Sequence, residues 1–102
     1  MRVIARKHLV KFWEVHRNAE QSLRAWCDEA INAKWTSPQD IKNCYRNASF
    51  IGCNRVVFNI KGNDYRLIVA VAYQFGAVYI KFIGTHAAYD GINAKTVNME
   101  GI

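Results

Sequence analysis

His86, Tyr89 and Asp90 stand close together near the end of the sequence, in the run Gly84-Thr85-His86-Ala87-Ala88-Tyr89-Asp90. An imidazole ordinarily titrates near neutral pH, which suits proton transfer. The phenol three residues on could give or take a second proton, or stack on a nucleic-acid base. The neighbouring carboxylate could orient the imidazole or cap a turn of helix. Arg66 comes earlier, inside an apolar run, where a guanidinium needs an anionic partner or a solvated face. Asp64 or Asp90 could be that partner. So could a substrate phosphate, whose growing negative charge a guanidinium stabilises in the transition state. Asn59, Lys61 and Lys81 belong to the same half of the chain and could hold further phosphates. His8 and His16 fall on a helical stretch and read as surface residues.

These groups meet only if the second half of the chain folds as a sheet. After Phe50 the apolar residues recur with a period of two, the period of a strand. Strands are expected over 55–61, 64–74 and 77–85. Gly62 and Gly76 mark the turns between them, where positive φ is needed. Two-residue turns at Gly62–Asn63 and Phe75–Gly76 would set the register. One face then pairs Phe58 with Leu67, Val69 with Phe82, Val71 with Ile80 and Tyr73 with Val78, an apolar set suited to a core. The other face pairs Asn59 with Arg66, Arg66 with Thr85 and Ala70 with Lys81. Asn59, Arg66 and Thr85 so form a row across three strands, with Lys61 one step along. His86, Tyr89 and Asp90 follow at the same edge. Ala70 and Ala72 leave a shallow floor. A basic sheet face with a histidine and a tyrosine at its rim is what RNA cleavage or phosphate binding requires.

The first half is helical. Val3–Ile4 could be a short edge strand. Leu9, Phe12 and Trp13 among Lys7, Lys11 and Glu14 make an amphipathic helix over 6–16. Asn18, with Gln21 three residues on, reads as a capping box for a second helix. That helix carries Leu23, Trp26, Cys27 and Ala30 on one stripe and ends near 33–34. Ser37-Pro38 starts a short further turn of helix, with Ser as the cap, and 45–49 reads as a loop. Trp13, Trp26 and Trp35 are then core or partner contacts rather than base-stacking residues. Two helices followed by an antiparallel meander make an α+β domain, with the N-terminal helices packed on a small antiparallel sheet.

Composition agrees with one soluble domain over 1–102. Fourteen Lys and Arg against eight Asp and Glu give +6, a charge that attracts polyanions. Nucleic acid is the usual one; a membrane surface or an acidic protein would also serve. The excess is spread over both halves, so no basic arm is indicated. Three cysteines without CxxC spacing speak against a disulfide framework or a zinc site. They read as small core hydrophobes of a reduced, cytoplasmic protein. Neither a secretory signal nor an apolar stretch of membrane-spanning length is read from the sequence.

Two blocks carry a resemblance to a known family. They are Val56-Val57-Phe58-Asn59-Ile60-Lys61-Gly62-Asn63-Asp64-Tyr65-Arg66-Leu67 and Val78-Tyr79-Ile80-Lys81-Phe82-Ile83-Gly84-Thr85-His86-Ala87-Ala88-Tyr89-Asp90. With Arg2-Val3-Ile4-Ala5-Arg6 and Phe12-Trp13-Glu14, they resemble HigB-type toxins of type II toxin–antitoxin systems, within the RelE-like group. The resemblance implies a small antiparallel sheet with two N-terminal helices. It implies an mRNA interferase: an endoribonuclease, often ribosome-associated, blocked by a HigA-type helix-turn-helix antitoxin. Arg66, His86 and Tyr89 would be catalytic, and Asn59, Lys61, Lys81 and Asp90 would bind RNA. The substrate's own 2′-hydroxyl would attack, leaving a 2′,3′-cyclic phosphate. No cofactor and no metal are expected, since the sequence shows no carboxylate cluster or Cys/His ligand set. Which of His86 and Tyr89 is acid and which is base stays open. A non-catalytic RNA- or ribosome-binding module would carry the same basic face, as would a partner for an acidic protein.

Overall fold

The computed structural model describes residues 1–99. Among them, five strands form one sheet: β1 (Arg2–Ile4), β2 (Ser49–Gly52), β3 (Arg55–Ile60), β4 (Tyr65–Ala72) and β5 (Ala77–Thr85). Their spatial order is β1-β5-β4-β3-β2. The helices are α1 (Lys7–Val15), α2 (Glu20–Asn32), α3 (Pro38–Cys44) and α4 (His86–Asp90). The α+β class is as expected. The sheet, however, is mixed: β1 runs parallel to β5, while the other pairs are antiparallel. The sequence reading also lacks β2 and α4. β2 is mostly exposed, so no apolar alternation marks it. α4 is too short for a helical period to show.

α1 and α2 pack their apolar stripes on one sheet face. Leu9, Trp13, Leu23 and Trp26 meet Phe58, Leu67, Val69 and Ile80 there, all buried. The three tryptophans are buried, as a core role requires. Trp26, Trp35 and Tyr45 surround Phe58, with ring centroids 5.4, 6.5 and 5.1 Å from it. Asn18 does not cap α2. A 3₁₀ turn over Arg17–Ala19 precedes that helix, and Asn18 Oδ1 accepts from the Tyr65 hydroxyl. Tyr65 is buried on the core face, and a buried phenol needs such a partner. Pro38 opens α3 as expected, but the Ser37 side chain makes no capping bond. Instead Asp40 Oδ2 accepts from Thr36 N and Oγ1, each at 2.9 Å, and these bonds hold its carboxyl below the usual range.

The β3–β4 register is the expected one, with Asn59 opposite Arg66 and Phe58 opposite Leu67. The β4–β5 register is not. The connection is a 3₁₀ turn over Tyr73–Phe75 closed by Gly76 at φ 62°, so Ala72 faces Ala77. Val69 therefore faces Ile80, Val71 faces Val78 and Ala70 faces Tyr79; Tyr73 lies in the turn. An irregularity between Ile68 and Val69 leaves Lys81 without a partner in the ladder. Beyond it Ile68 faces Phe82, and Arg66 faces Gly84 rather than Thr85. The bulge moves Phe82 off the core face. It joins Val57 and Ile68 in a second, smaller cluster.

That second face is not an open floor. Ile92, Ala94 and Val97 pack over Val57, Ile68 and Phe82. Arg55 Nη1 secures this cover by donating to the carbonyls of Ala94 at 3.0 Å and Val97 at 2.7 Å. The end of the face that carries Asn59 remains exposed.

Only Cys27 is the buried hydrophobe expected. Cys44, at the end of α3, and Cys53, in the β2–β3 turn, are exposed. Cys44 is the last residue of a short helix and Cys53 lies in a turn, places where a side chain readily stays in solvent. Burial pushes the Cys27 thiol up. Cys44 and Cys53 should thus react readily with an aromatic disulfide reagent at mildly alkaline pH, while Cys27 reacts only after denaturant is added. Three equally fast thiols in the folded protein would contradict this packing.

Candidate active site

Strands β3, β4 and β5 bring Asn59, Arg66 and Gly84 into one row. A Cβ on Gly84 would lie 2.5 Å from Phe82 Cζ, so no side chain enters the row at that place without displacing the ring. Thr85 has a different task from the one its sequence position implied. It ends β5 and caps α4, with Oγ1 accepting from Ala88 N at 3.1 Å. His86 N donates to Asp64 O at 3.1 Å, which ties the start of α4 to the β3–β4 turn.

α4 then presents His86, Tyr89 and Asp90 at three- and four-residue steps, one side of a helix. The Arg66 guanidinium carbon lies 5.9 Å from the centre of the Tyr89 ring, near the outer limit of a cation–π contact. Tyr89 also packs against the Val57, Ile68 and Phe82 cluster, which steadies the ring. His86 Nε2 is 3.8 Å from Asp90 Oδ1, and both side chains are exposed. At that distance Asp90 attracts an imidazolium, but no hydrogen bond orients the ring.

Arg66 donates to neutral oxygens: Nη1 to the carbonyls of Asn63 at 3.1 Å and Tyr65 at 3.3 Å, and Nη2 to Asn63 Oδ1 at 3.4 Å. Asp64 pairs with Lys61 instead, at 3.7 Å, and Asp90 with His86. Among the described residues, neither carboxylate neutralises Arg66. Its charge is held in place and left for an anion. Asn63 is the residue that sequence reasoning used only as a turn former. Its place three residues before Arg66, across a hairpin turn, is the signal that could have revealed it.

The fold thus gathers Arg66, His86, Tyr89 and Asp90, with Asn59 beside Arg66 in the sheet and Lys61 on the turn. Lys81 does not join them by contact: it is the bulged residue of β5, and its Nζ lies 5.7 Å from the Tyr79 ring centre. His8 and His16 are not free surface groups. Both are half-buried, and His16 stacks on Phe12 at 4.2 Å. Their helix lies against the sheet and takes part of each ring with it. Among the described residues, no three His, Cys, Asp or Glu side chains gather as metal ligands, and no helix is long and apolar enough to cross a membrane.

A family model described as the RelE-like toxic component of a toxin–antitoxin system matches residues 19–92, more than half of the chain. The chain belongs to the HigB toxin family. The matched span runs from just before α2 through α4, and so takes in the whole row and its rim. β1 and α1 lie outside it. An α+β sheet with helices on one face agrees with a RelE-like fold. As the toxic component of such a system, this HigB-family toxin has an antitoxin for a partner. No curated protein matches the chain.

Proposed function

We propose that this HigB-family toxin is a metal-independent endoribonuclease that cuts messenger RNA on the ribosome, in the cytoplasm, and so stops translation and growth. The observation that carries the reading is Arg66: a guanidinium held by neutral acceptors over Tyr89, at the end of the sheet where His86 begins α4. The 2′-hydroxyl attacks the adjacent phosphorus as its proton passes to a base. The bond to the 5′-oxygen breaks, and that oxygen takes a proton. The products are a 2′,3′-cyclic phosphate and a 5′-hydroxyl. His86 and Tyr89 share the two proton transfers. Arg66 stabilises the charge on the phosphorane-like transition state. Asn59, Lys61 and Asp90 hold the strand. A HigA-type helix-turn-helix antitoxin keeps the toxin silent. The +6 charge favours an acidic antitoxin segment and speeds its association.

Base recognition by this chain alone is weak. Of the aromatic rings near the row, Phe82 is buried against Gly84 and Tyr89 is half-buried. Several exposed rings would be needed to stack several bases. The ribosome, which holds the message in its decoding site, supplies the missing selectivity. Ribosome-bound transcript should therefore be cut much faster than the same transcript naked, and chelator should make no difference to the cutting of naked transcript. Equal rates and identical cleavage patterns would contradict this, and would mean the chain carries its own sequence reader. Expression alone should arrest growth, and His86→Ala should relieve it. A His86→Ala chain that arrests growth as strongly as wild type would favour a non-catalytic RNA- or ribosome-binding module instead.

A further inference from the structure

Beside the row lies a groove that the cleavage reaction does not yet use. It is lined by Tyr45, Arg46, Asn47, Phe58, Asn59 and Gly62, among others, with a volume of about 290 Å³. Asn59 belongs both to this groove and to the row with Arg66. Asn59 stands directly opposite Arg66, so the groove borders β3, the strand next to the one that carries Arg66. Gly62 belongs to the same turn as Lys61 and Asn63.

The wall of the groove is built, not merely exposed. Tyr45 N donates to Ile41 O at 2.8 Å, and Ala48 N to Tyr45 O at 3.1 Å. Lys42 Nζ donates to Ala48 O at 2.8 Å and braces the 45–48 segment from outside. Tyr45 packs edge-on against Phe58, with ring centroids 5.1 Å apart. No carboxylate lines the groove. Arg46 is exposed, and among the described residues no carboxylate pairs with it. The chemistry on offer is one unneutralised guanidinium and two amide side chains beside the half-buried Tyr45 ring. A volume near 300 Å³ is the lower end of small-molecule sites and suits a single nucleotide.

We propose that this groove is a subsite for one nucleotide of single-stranded RNA flanking the scissile phosphate, with Arg46 on its phosphate and Asn47 and Asn59 on its base or ribose. The subsite rests on the RNA-cleavage reading and adds to it the direction in which the strand leaves Arg66. Arg46 acts on binding rather than on the chemical step, so its loss raises KM and spares kcat. The probe is a uniformly 2′-O-methylated RNA oligonucleotide, which the chain can bind but not cut. Its affinity for the purified full chain is followed by fluorescence anisotropy over a salt series. Each phosphate contact on a single strand contributes about 0.7 to the slope of log affinity against log salt. Arg46→Ala should weaken binding and lower that slope by about 0.7. Arg46→Lys should restore the slope, and Asn47→Ala should weaken binding without changing it. Wild-type affinity and slope in Arg46→Ala would overturn the subsite alone, provided the wild-type chain cuts RNA and Arg66→Ala does not. A wild-type chain that neither binds the probe nor cuts RNA would overturn the subsite and the cleavage reading together.

Discussion

Arg66→Ala should slow RNA cleavage by at least about tenfold to a hundredfold, the scale on which a lost charge-stabilising group is felt. His86→Ala should cost about as much through a lost proton transfer. Two features make these expectations sharp. Arg66 spends its hydrogen bonds on Asn63 and the Tyr65 carbonyl, so its orientation exists before substrate arrives. A group placed in advance has little reorganisation left to do when charge develops on the phosphate. His86 is exposed and lies outside both apolar clusters, so its removal should leave the fold intact. Arg66→Lys should recover only part of the loss, since an ammonium offers no planar fork to a phosphate. The two positions act on one transition state, so the double variant should lose less than the product of the single losses. Cleavage by purified protein on translating ribosomes is the measurement. A double variant that degrades message at the wild-type rate would place the reaction elsewhere on the molecule.

Phe58→Ala should cost about 3–5 kcal/mol of folding stability, the usual scale for emptying an aromatic site in a core. Phe58 is 1 % exposed and is the ring on which Trp26, Trp35 and Tyr45 converge. These rings come from α2, from the α2–α3 connection and from the residue after α3. Removing their common partner leaves a cavity that three separate segments would have to close. Against a total stability of about 5–15 kcal/mol for a domain of this kind, the loss approaches unfolding. Phe58→Leu fills most of the volume and should cost much less. Urea unfolding midpoints read the difference. Equal midpoints for wild type and Phe58→Ala would show that the aromatic cluster does not hold the helices to the sheet.

Legibility in the sequence followed the range of the interactions concerned. Short-range pattern was enough for α1, α2, the start of α3 at Pro38 and the strands β3 to β5. Each has its own apolar period or its own turn residues. It was also enough for the β3–β4 register, because one hairpin turn sets that pairing locally. The apolar pattern could not settle the β4–β5 register. A shift of two residues keeps every side chain on its face, so Val69 and Val71 suit a core whether they meet Phe82 and Ile80 or Ile80 and Val78. Likewise, Asn18 and Gln21 make a good capping box on paper. A buried hydroxyl on Tyr65, 47 residues away, claimed Asn18 instead.

Composition and local spacing by themselves determined the α+β class, the basic charge and the chemical types at Arg66, His86 and Tyr89. Those properties belong to single residues or to neighbours along the chain. Tertiary structure alone decided which residue stands opposite Arg66, what holds its guanidinium, and what covers the rest of the face. Gly84 occupies the row because a bulge at Lys81 advances β5 by one residue. Asn63 and Tyr65 orient Arg66 because the turn folds back over it. Residues 92–97 cover Phe82 because that bulge turned its ring away from the helices and left it needing burial elsewhere. A bulge is a single extra residue with no composition of its own. Its energy comes from pairing and packing across strands, and those contacts exist only once the chain has folded.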